Sequence, residues 1–124
     1  MSTHCSIAML LPTGKVRSIY CHYDGYTSHT GEILLAHYST LEAVSQLLDL
    51  GDLGCLNSTV KTCEQLAYGG PADLSEKSQY LDDRGQEYNY LFQLGQWWVN
   101  FRTNDSWVLL SEVRQDPSKY SEYY

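Results

Sequence analysis

The sequence predicts an α+β fold in which an N-terminal β-hairpin and a C-terminal antiparallel meander join in one sheet, with two central helices packed on it. Three observations predict it. Residues 5–22 crowd apolar side chains around a Pro12-Thr13-Gly14-Lys15 turn. In the middle of the chain a capping box, Ser39-Thr40-Leu41-Glu42, opens an apolar helical stripe. Near the C-terminus three β-rich runs, EYNYLFQL, WWVNFR and WVLLSEV, are divided by short turn signals.

Each element can be justified in order. With Thr13 and Gly14 as the hairpin loop, Leu11 faces Val16, Met9 faces Ser18, Ile7 faces Tyr20 and Cys5 faces His22. Both faces of this hairpin are mostly apolar, so cover is expected on both sides. Tyr23-Asp24-Gly25-Tyr26 reads as a turn, because Asp-Gly favours positive φ. A helix is expected over 30–38. A second runs from the capping box to about Leu50 with Gly51 as its C-cap, and Leu41, Val44, Leu47 and Leu48 form its apolar stripe. Residues 52–72 are weakly patterned, and Gly69-Gly70-Pro71 marks a loop. Asp73-Leu74-Ser75-Glu76 reads as a second capping box, opening a short helix to about Asp83 that Gly85 ends. Turns at Gly95-Gln96 and Asn104-Asp105 place Phe92 opposite Val99, Tyr90 opposite Phe101, Phe101 opposite Val108 and Val99 opposite Leu110. Tyr90, Phe92, Leu94, Trp97, Val99, Phe101, Val108 and Leu110 then share one apolar face. Residues 1–124 form a single domain, with 114–124 as a polar, tyrosine-rich tail expected to be mobile.

Composition narrows the function classes. No run approaches the ~18 apolar residues of a membrane-spanning helix. The apolar run Ile7 to Leu11 has no basic segment ahead of it, so neither a span nor a secretory leader is expected, and the protein is expected to be soluble and intracellular. The formal net charge is -7, with only Arg17, Arg84, Arg102 and Arg114 among the arginines. That balance excludes binding a long nucleic acid by phosphate neutralisation. It leaves open a small anion held by two or three arginines and backbone N–H groups. Cys5, Cys21, Cys55 and Cys63 form no CxxC pair and are expected as reduced thiols.

The candidate site lies on the other face of the meander. Asn89, Leu91 and Gln93, then Trp98, Asn100 and Arg102, then Trp107 and Leu109 alternate onto it. Trp98 offers a stacking plane, the amides offer donors and acceptors, and Arg102 offers a planar fork for phosphate. The same face also reads as a solvated or subunit-facing surface on which Arg102 stacks on Trp107. Tyr23, Asp24, Gly25 and Tyr26 form a second candidate, a turn with exposed N–H groups beside aromatics. It reads equally as a structural turn. His4, Cys5, Cys21 and His22 cannot converge on a metal in the predicted register, so no metal site is expected. His22 with Asp24, and His29 with Glu32, lack a nucleophile at telling spacing, and Cys21 and His22 point apart. No catalytic residue and no cofactor are expected.

One stretch carries a resemblance. Ile19, Tyr20, Cys21, His22, Tyr23, Asp24, Gly25 and Tyr26, then Gly31, Leu34, Leu35, His37 and Tyr38, then Leu50, Gly51, Asp52 and Leu53 follow a YCH(W/Y)DGY…G..LL.HY…V..LL.LGDL signature. In these residues, roughly a third of the chain, the sequence resembles small phage proteins, the first type of Thoeris anti-defence protein. The resemblance implies a viral sponge in the host cytoplasm that sequesters glyco-cyclic ADP-ribose signals without cleaving them. It implies homodimers that assemble into hexamers, and in some relatives separate sites for cyclic oligonucleotides. On that reading Trp98 and Phe92 stack on the ligand, Asn100 meets ribose or base, and Arg102, Arg114 and Arg17 meet phosphates, with Tyr23 and Asp24 as further contacts. The alternative is a phage protein that inhibits a host defence protein by direct contact, its acidic surface imitating nucleic acid.

Overall fold

The computed structural model describes residues 3–102 and 106–119. The fold is α+β. In chain order come β1 (Cys5–Leu10), β2 (Lys15–Cys21), a π-helical turn (Thr27–Gly31) running into α1 (Glu32–His37), α2 (Leu41–Leu48), β3 (Leu53–Cys55), β4 (Glu64–Gln65) and β5 (Asp73–Glu76). A 3-10 turn (Lys77–Gln79) then enters α3 (Tyr80–Arg84), followed by β6 (Tyr88–Gln93), β7 (Gln96–Phe101), β8 (Val108–Leu109) and α4 (Leu110–Gln115). All eight strands belong to one mixed sheet of order β4-β3-β2-β1-β6-β7-β8, with β5 off this path and paired with the first half of β2, whose end pairs with β3. The N-terminal hairpin and the C-terminal strands join through a parallel pairing of β1 with β6, Cys5 opposite Tyr88 and Met9 opposite Phe92. No described helix is long and apolar enough to cross a membrane.

Both hairpins differ in register from the sequence expectation, and the turns explain why. In the first, Cys5 faces Cys21, Ile7 faces Ile19 and Leu10 faces Val16, one residue out from the expected pairs. Leu11 N donates to Lys15 O at 2.8 Å and Gly14 N donates to Leu11 O at 2.9 Å. The loop is therefore three residues, Pro12 to Gly14, with Gly14 at φ 87° in the bulge position that such loops reserve for glycine. In the second, Tyr90 faces Val99 and Phe92 faces Trp97. Leu94 and Gly95 both take positive φ, 53° and 74°, so they are the two-residue loop in place of Gly95-Gln96. This slip is two residues, so the paired side chains keep their expected faces, whereas Leu94, expected on the apolar face, becomes a loop residue and is exposed. At the third strand Val99 faces Val108, and the Asn104-Asp105 turn lies outside the described residues.

The helices also part from expectation in places. Thr40, not Ser39, is the N-cap of α2, its hydroxyl accepting from Ala43 N at 3.1 Å. Asp73-Leu74-Ser75-Glu76 does not cap a helix; it is β5, antiparallel to β2, and the helical turns begin after it. Only the first two residues of VLLSEV are strand. Leu110 and Val113 turn inward as the buried face of α4, so Arg114 and Gln115 belong to a docked helix and not to a mobile tail. Residues 120–124 of that tail lie outside the described residues.

The core has two layers. On one face Ile7, Ile19, Tyr90, Phe92, Trp97, Val99 and Phe101 meet Leu34 of α1, Val44, Leu47 and Leu48 of α2, and Leu110 and Val113 of α4. The buried aromatics satisfy their polar tips locally. Trp97 Nε1 donates to Tyr38 O at 2.7 Å and Tyr90 Oη donates to Gly25 O at 2.7 Å. The other face is smaller: Ala8, Val16 and Leu91 are covered by Tyr80, with Leu10, Leu81 and Trp107 packed around it.

Gly25 does not serve the turn in the way Asp-Gly suggests. The positive φ, 57°, falls on Asp24. Gly25 is required by close approach instead: a Cβ there would lie 2.7 Å from Cys5 Cβ and 2.9 Å from both Cys5 N and the His4 carbonyl carbon. Replacing Gly25 by Ala is expected to lower stability by about 1–3 kcal/mol, the usual scale for overpacking. Urea unfolding of wild type and Gly25→Ala measures it, and equal midpoints would reject the close-approach assignment.

Candidate functional site

A row of polar side chains crosses the sheet on its second face. Ser6 of β1, Asn89 of β6 and Asn100 of β7 are register neighbours, and all three are buried. Asn89 Oδ1 accepts from Ser6 Oγ at 2.7 Å and from Gln86 N at 2.7 Å. Its Nδ2 donates to Gln86 O at 3.0 Å and to Asn100 Oδ1 at 3.1 Å. Both acceptor positions and both donor hydrogens of the amide are thus used. Asn100 Nδ2 passes the row on to Ser106 O at 3.0 Å. At the other end Ser6 Oγ lies 2.6 Å from Tyr80 Oη, which donates to Tyr90 O at 3.2 Å. Burial pushes the Tyr80 hydroxyl well above the ordinary tyrosine value, so it stays a neutral donor.

This row seats residues 77–86 on the sheet and leaves a groove beside them. One part of the groove is apolar, about 480 Å³, lined by Lys77, Ser78, Tyr80, Leu81, Leu91 and Trp107. Tyr80 and Trp107 are nearly parallel there, 17° between planes with centroids 6.1 Å apart. The adjoining part is polar, about 330 Å³, lined by Leu81, Asp82, Gly85, Gln86, Asn89, Asn100 and Arg102. Leu81 borders both parts. Each is in the size range of small-ligand sites, roughly 300–1,000 Å³. Arg102 is exposed at the polar rim, its backbone N–H donating to Glu87 O at 3.1 Å. Three of the four arginines hold carboxylates: Arg17 to Asp49 at 2.7 Å, Arg84 to Asp52 at 3.0 Å and to Asp73 at 3.1 Å, and Arg114 to Glu32 at 2.6 Å. Arg102 has no such carboxylate partner among the described residues.

The eight residues expected to bind ligand do not come together. Asn100 and Arg102 line the polar part of the groove. Trp98 lies on the same face, half-buried beside Leu91 and Leu109 in register, but outside both parts of the groove. Its Nε1 is buried with no partner among the described residues. Phe92 is 1% exposed in the main core, packed on Trp97 at a centroid distance of 5.1 Å, and has no plane left for a ligand. Arg17 reaches α2, and Arg114 reaches α1, on the helix-covered side. Tyr23 is 48% exposed at the turn after β2, with half-buried Asp24 beside it. The groove's own aromatic is Trp107, which the sequence placed on this face, and its wall is Tyr80-Leu81, which the sequence did not. The misread capping box hid them: a helix starting at residue 73 does not bring Tyr80 over Ser6.

The residues that carry the family resemblance are mostly framework. Asp52 is a hub: Oδ1 accepts from Tyr20 N at 2.9 Å and from Arg84, and Oδ2 accepts from Gly70 N at 3.0 Å. Tyr38 Oη donates to Asn57 O at 2.8 Å, and Tyr20 Oη lies 2.7 Å from His22 Nδ1. Cys5 and Cys21 are opposed and fully buried.

Removing the central amide should be costly. Asn89→Ala leaves Ser6 Oγ, Gln86 N and O, and Asn100 Oδ1 short of a partner, and at about 1–3 kcal/mol per orphaned buried group the loss should exceed ~2 kcal/mol. Denaturant titration reads it; a loss below about 0.5 kcal/mol, the scale of an ordinary surface substitution, would show the row to be incidental. In comparisons with known proteins, no family model matches the chain, and no curated protein and no solved structure matches it either.

Proposed function

We propose that the protein is a nucleotide sponge that binds a cyclic ADP-ribose-type immune signal in the host cytoplasm and withholds it, uncleaved, from the Thoeris effector of a phage-infected cell. The observation that carries this reading is the junction at Leu81 of an aromatic recess with a polar recess rimmed by Arg102. A cyclic ADP-ribose has those two characters, a flat base and a ribose-phosphate ring. Half-buried Trp107 takes the base, and buried Tyr80 backs its ring from behind. Asp82 and Gln86 take ribose hydroxyls, and Arg102 takes phosphate. The amides of Asn89 and Asn100 are engaged with each other and form the floor. Sequestration asks for binding alone, and the resemblance in residues 18–54 supplies the signal class.

The same resemblance supports homodimers assembling into hexamers. A surface for a second copy is an apolar recess of about 420 Å³ bordered by Leu10, Leu11, Leu41, Phe92 and Leu94. Leu41 is 61% exposed and Leu94 is 90% exposed there, and Leu94 occupies a left-handed turn position that suits Asn or Gly better.

Calorimetry with cyclic ADP-ribose isomers tests the binding. Wild type should bind one ligand per site and release it intact on heating. Trp107→Ala should weaken binding by about 5–150-fold, the equivalent of ~1–3 kcal/mol for base stacking, and Arg102→Ala by roughly tenfold or more. No heat with any cyclic nucleotide, or recovery of a cleaved product, would reject the sponge. Absence of heat would favour direct contact with a host defence protein through the acidic surface. Sedimentation equilibrium tests the assembly: wild type should exceed the monomer mass, and Leu94→Asn, which preserves the turn, should lower it. A wild type that stays monomeric at all concentrations would reject the assembly.

A further inference from the structure

Asp24 and His29 lie close in sequence and Cys55 lies far from both, and the fold brings their carboxylate oxygen, imidazole nitrogen and thiol sulfur within 4.8 Å of one another. Two backbone segments deliver them, the continuous turns after β2 and the end of β3. Asp24 sits in the turn after β2 with its left-handed φ of 57°, and its carbonyl accepts from Thr30 Oγ1 at 2.8 Å. His29 lies in the π-helical turn Thr27–Gly31, and such turns recur at functional sites. Cys55 ends β3, which is held to the β2 extension by His22 N donating to Leu53 O at 3.0 Å and Tyr23 N donating to Gly54 O at 2.9 Å. The cluster is therefore built by the fold and not by loose loops.

Two further facts point to an ion. All three side chains are half-buried, sheltered from bulk water yet reachable. His29 Nε2 is shut from water and has no hydrogen-bond partner among the described residues, although a carboxylate and a thiol stand nearby. A buried polar atom left so costs about 1–3 kcal/mol, and a coordinated cation beside the imidazole would offset it. None of the three residues lines either part of the groove, so the cluster is a separate site.

We propose that Asp24, His29 and Cys55 bind a zinc ion as three protein ligands, with the fourth tetrahedral position taken by water. The donor set selects the metal. Thiolate with imidazole suits zinc and is poor for magnesium or calcium, which take oxygen ligands. Zinc bonds of about 2.0–2.3 Å put tetrahedral donors roughly 3.2–3.7 Å apart, so donors already within 4.8 Å close on the ion by side-chain rotation. On binding, the Cys55 thiol gives its proton to solvent and the thiolate takes the metal. The ion clips the turn after β2, the π-helical turn and β3 to one another.

Cobalt(II) titration of metal-stripped, reduced, full-length protein tests the site. Uptake of one ion per chain should give a thiolate-to-cobalt charge-transfer band with the visible bands of tetrahedral cobalt, and zinc should displace both. Cys55→Ser should lose the charge-transfer band. His29→Gln and Asp24→Asn should each weaken uptake by at least roughly tenfold, since even outer-shell changes cost that much. Cys63→Ser should leave uptake unchanged. A Tm that rises with zinc in wild type and not in Cys55→Ser gives a readout that needs no cobalt. Absence of the thiolate band in wild type, or its survival in Cys55→Ser, would overturn the assignment.

Discussion

The Asn89 side-chain amide is the constraint on which the sheet's second face depends. It is buried, it bonds to β1 and β7 at once, and it grips Gln86 through both backbone groups. A buried amide with an unfilled position is penalised by about 1–3 kcal/mol, so the four partners favour being in place together. That fixes the alignment of three strands relative to one another. A shift of β1 or β7 against β6 would break the row. The segment that carries Tyr80 and Leu81 is anchored by the same amide, and the groove exists because that segment stands on the sheet at one end and is fastened at Gln86 at the other. Fold and candidate site thus share one determinant.

In the C-terminal strands periodicity made the faces legible and left the registers unread, whereas in the N-terminal hairpin, apolar on both sides, the one-residue slip put Ile19 and Cys21 on the face of Ile7 and Cys5 in place of Tyr20 and His22. Tyr90, Phe92, Trp97, Val99 and Phe101 were assigned to one side from alternation alone, and all are buried together. The opposing pairs depended on loop length, and a dipeptide such as Gly95-Gln96 competes with Leu94-Gly95 for the same turn. Leucine is a poor residue at positive φ, so local chemistry favoured the wrong choice, and cross-strand packing of Phe92 on Trp97 overrode it. Asp73-Leu74-Ser75-Glu76 failed for a related reason. It has the letters of a capping box, but Val16 and Ser18 of β2 present an open edge, and pairing with that edge satisfies more backbone groups than a helical turn would. Neither competitor is local, so neither is visible in a window of sequence.

The candidate site was legible by half. Asn100, Arg102 and Trp107 were placed on the right face, because alternation along β7 and into β8 is a local property. The arginines were read as scarce cations free for phosphate, and three of the four instead hold carboxylates that only the tertiary fold brings near: Asp49, Asp52 with Asp73, and Glu32. In an acidic chain carboxylates outnumber cations, so the folded chain offers most arginines a carboxylate neighbour, at a net gain of about 0–1 kcal/mol for an exposed pair. The residues of the family resemblance follow the same division. Gly25, Tyr38 and Asp52 hold the framework, while Asp24 stands at the rim of the thiol and imidazole cluster.

The parallel pairing of β1 with β6 has a consequence for how the chain reaches its native state. Ser6 and Asn89 are separated by 83 positions, yet they meet in the middle of the sheet. Closing so long a segment costs entropy before central contacts repay it, which makes this a topology of slow folding. During synthesis β1 and β2 can form their hairpin early, but the edge of β1 stays unpaired until residues 88–93 leave the ribosome. The nascent hairpin is apolar on both faces, so for most of translation it is the segment most in need of shielding from other chains. A shortened C-terminus that lost β6 would remove the centre of the sheet and not its margin.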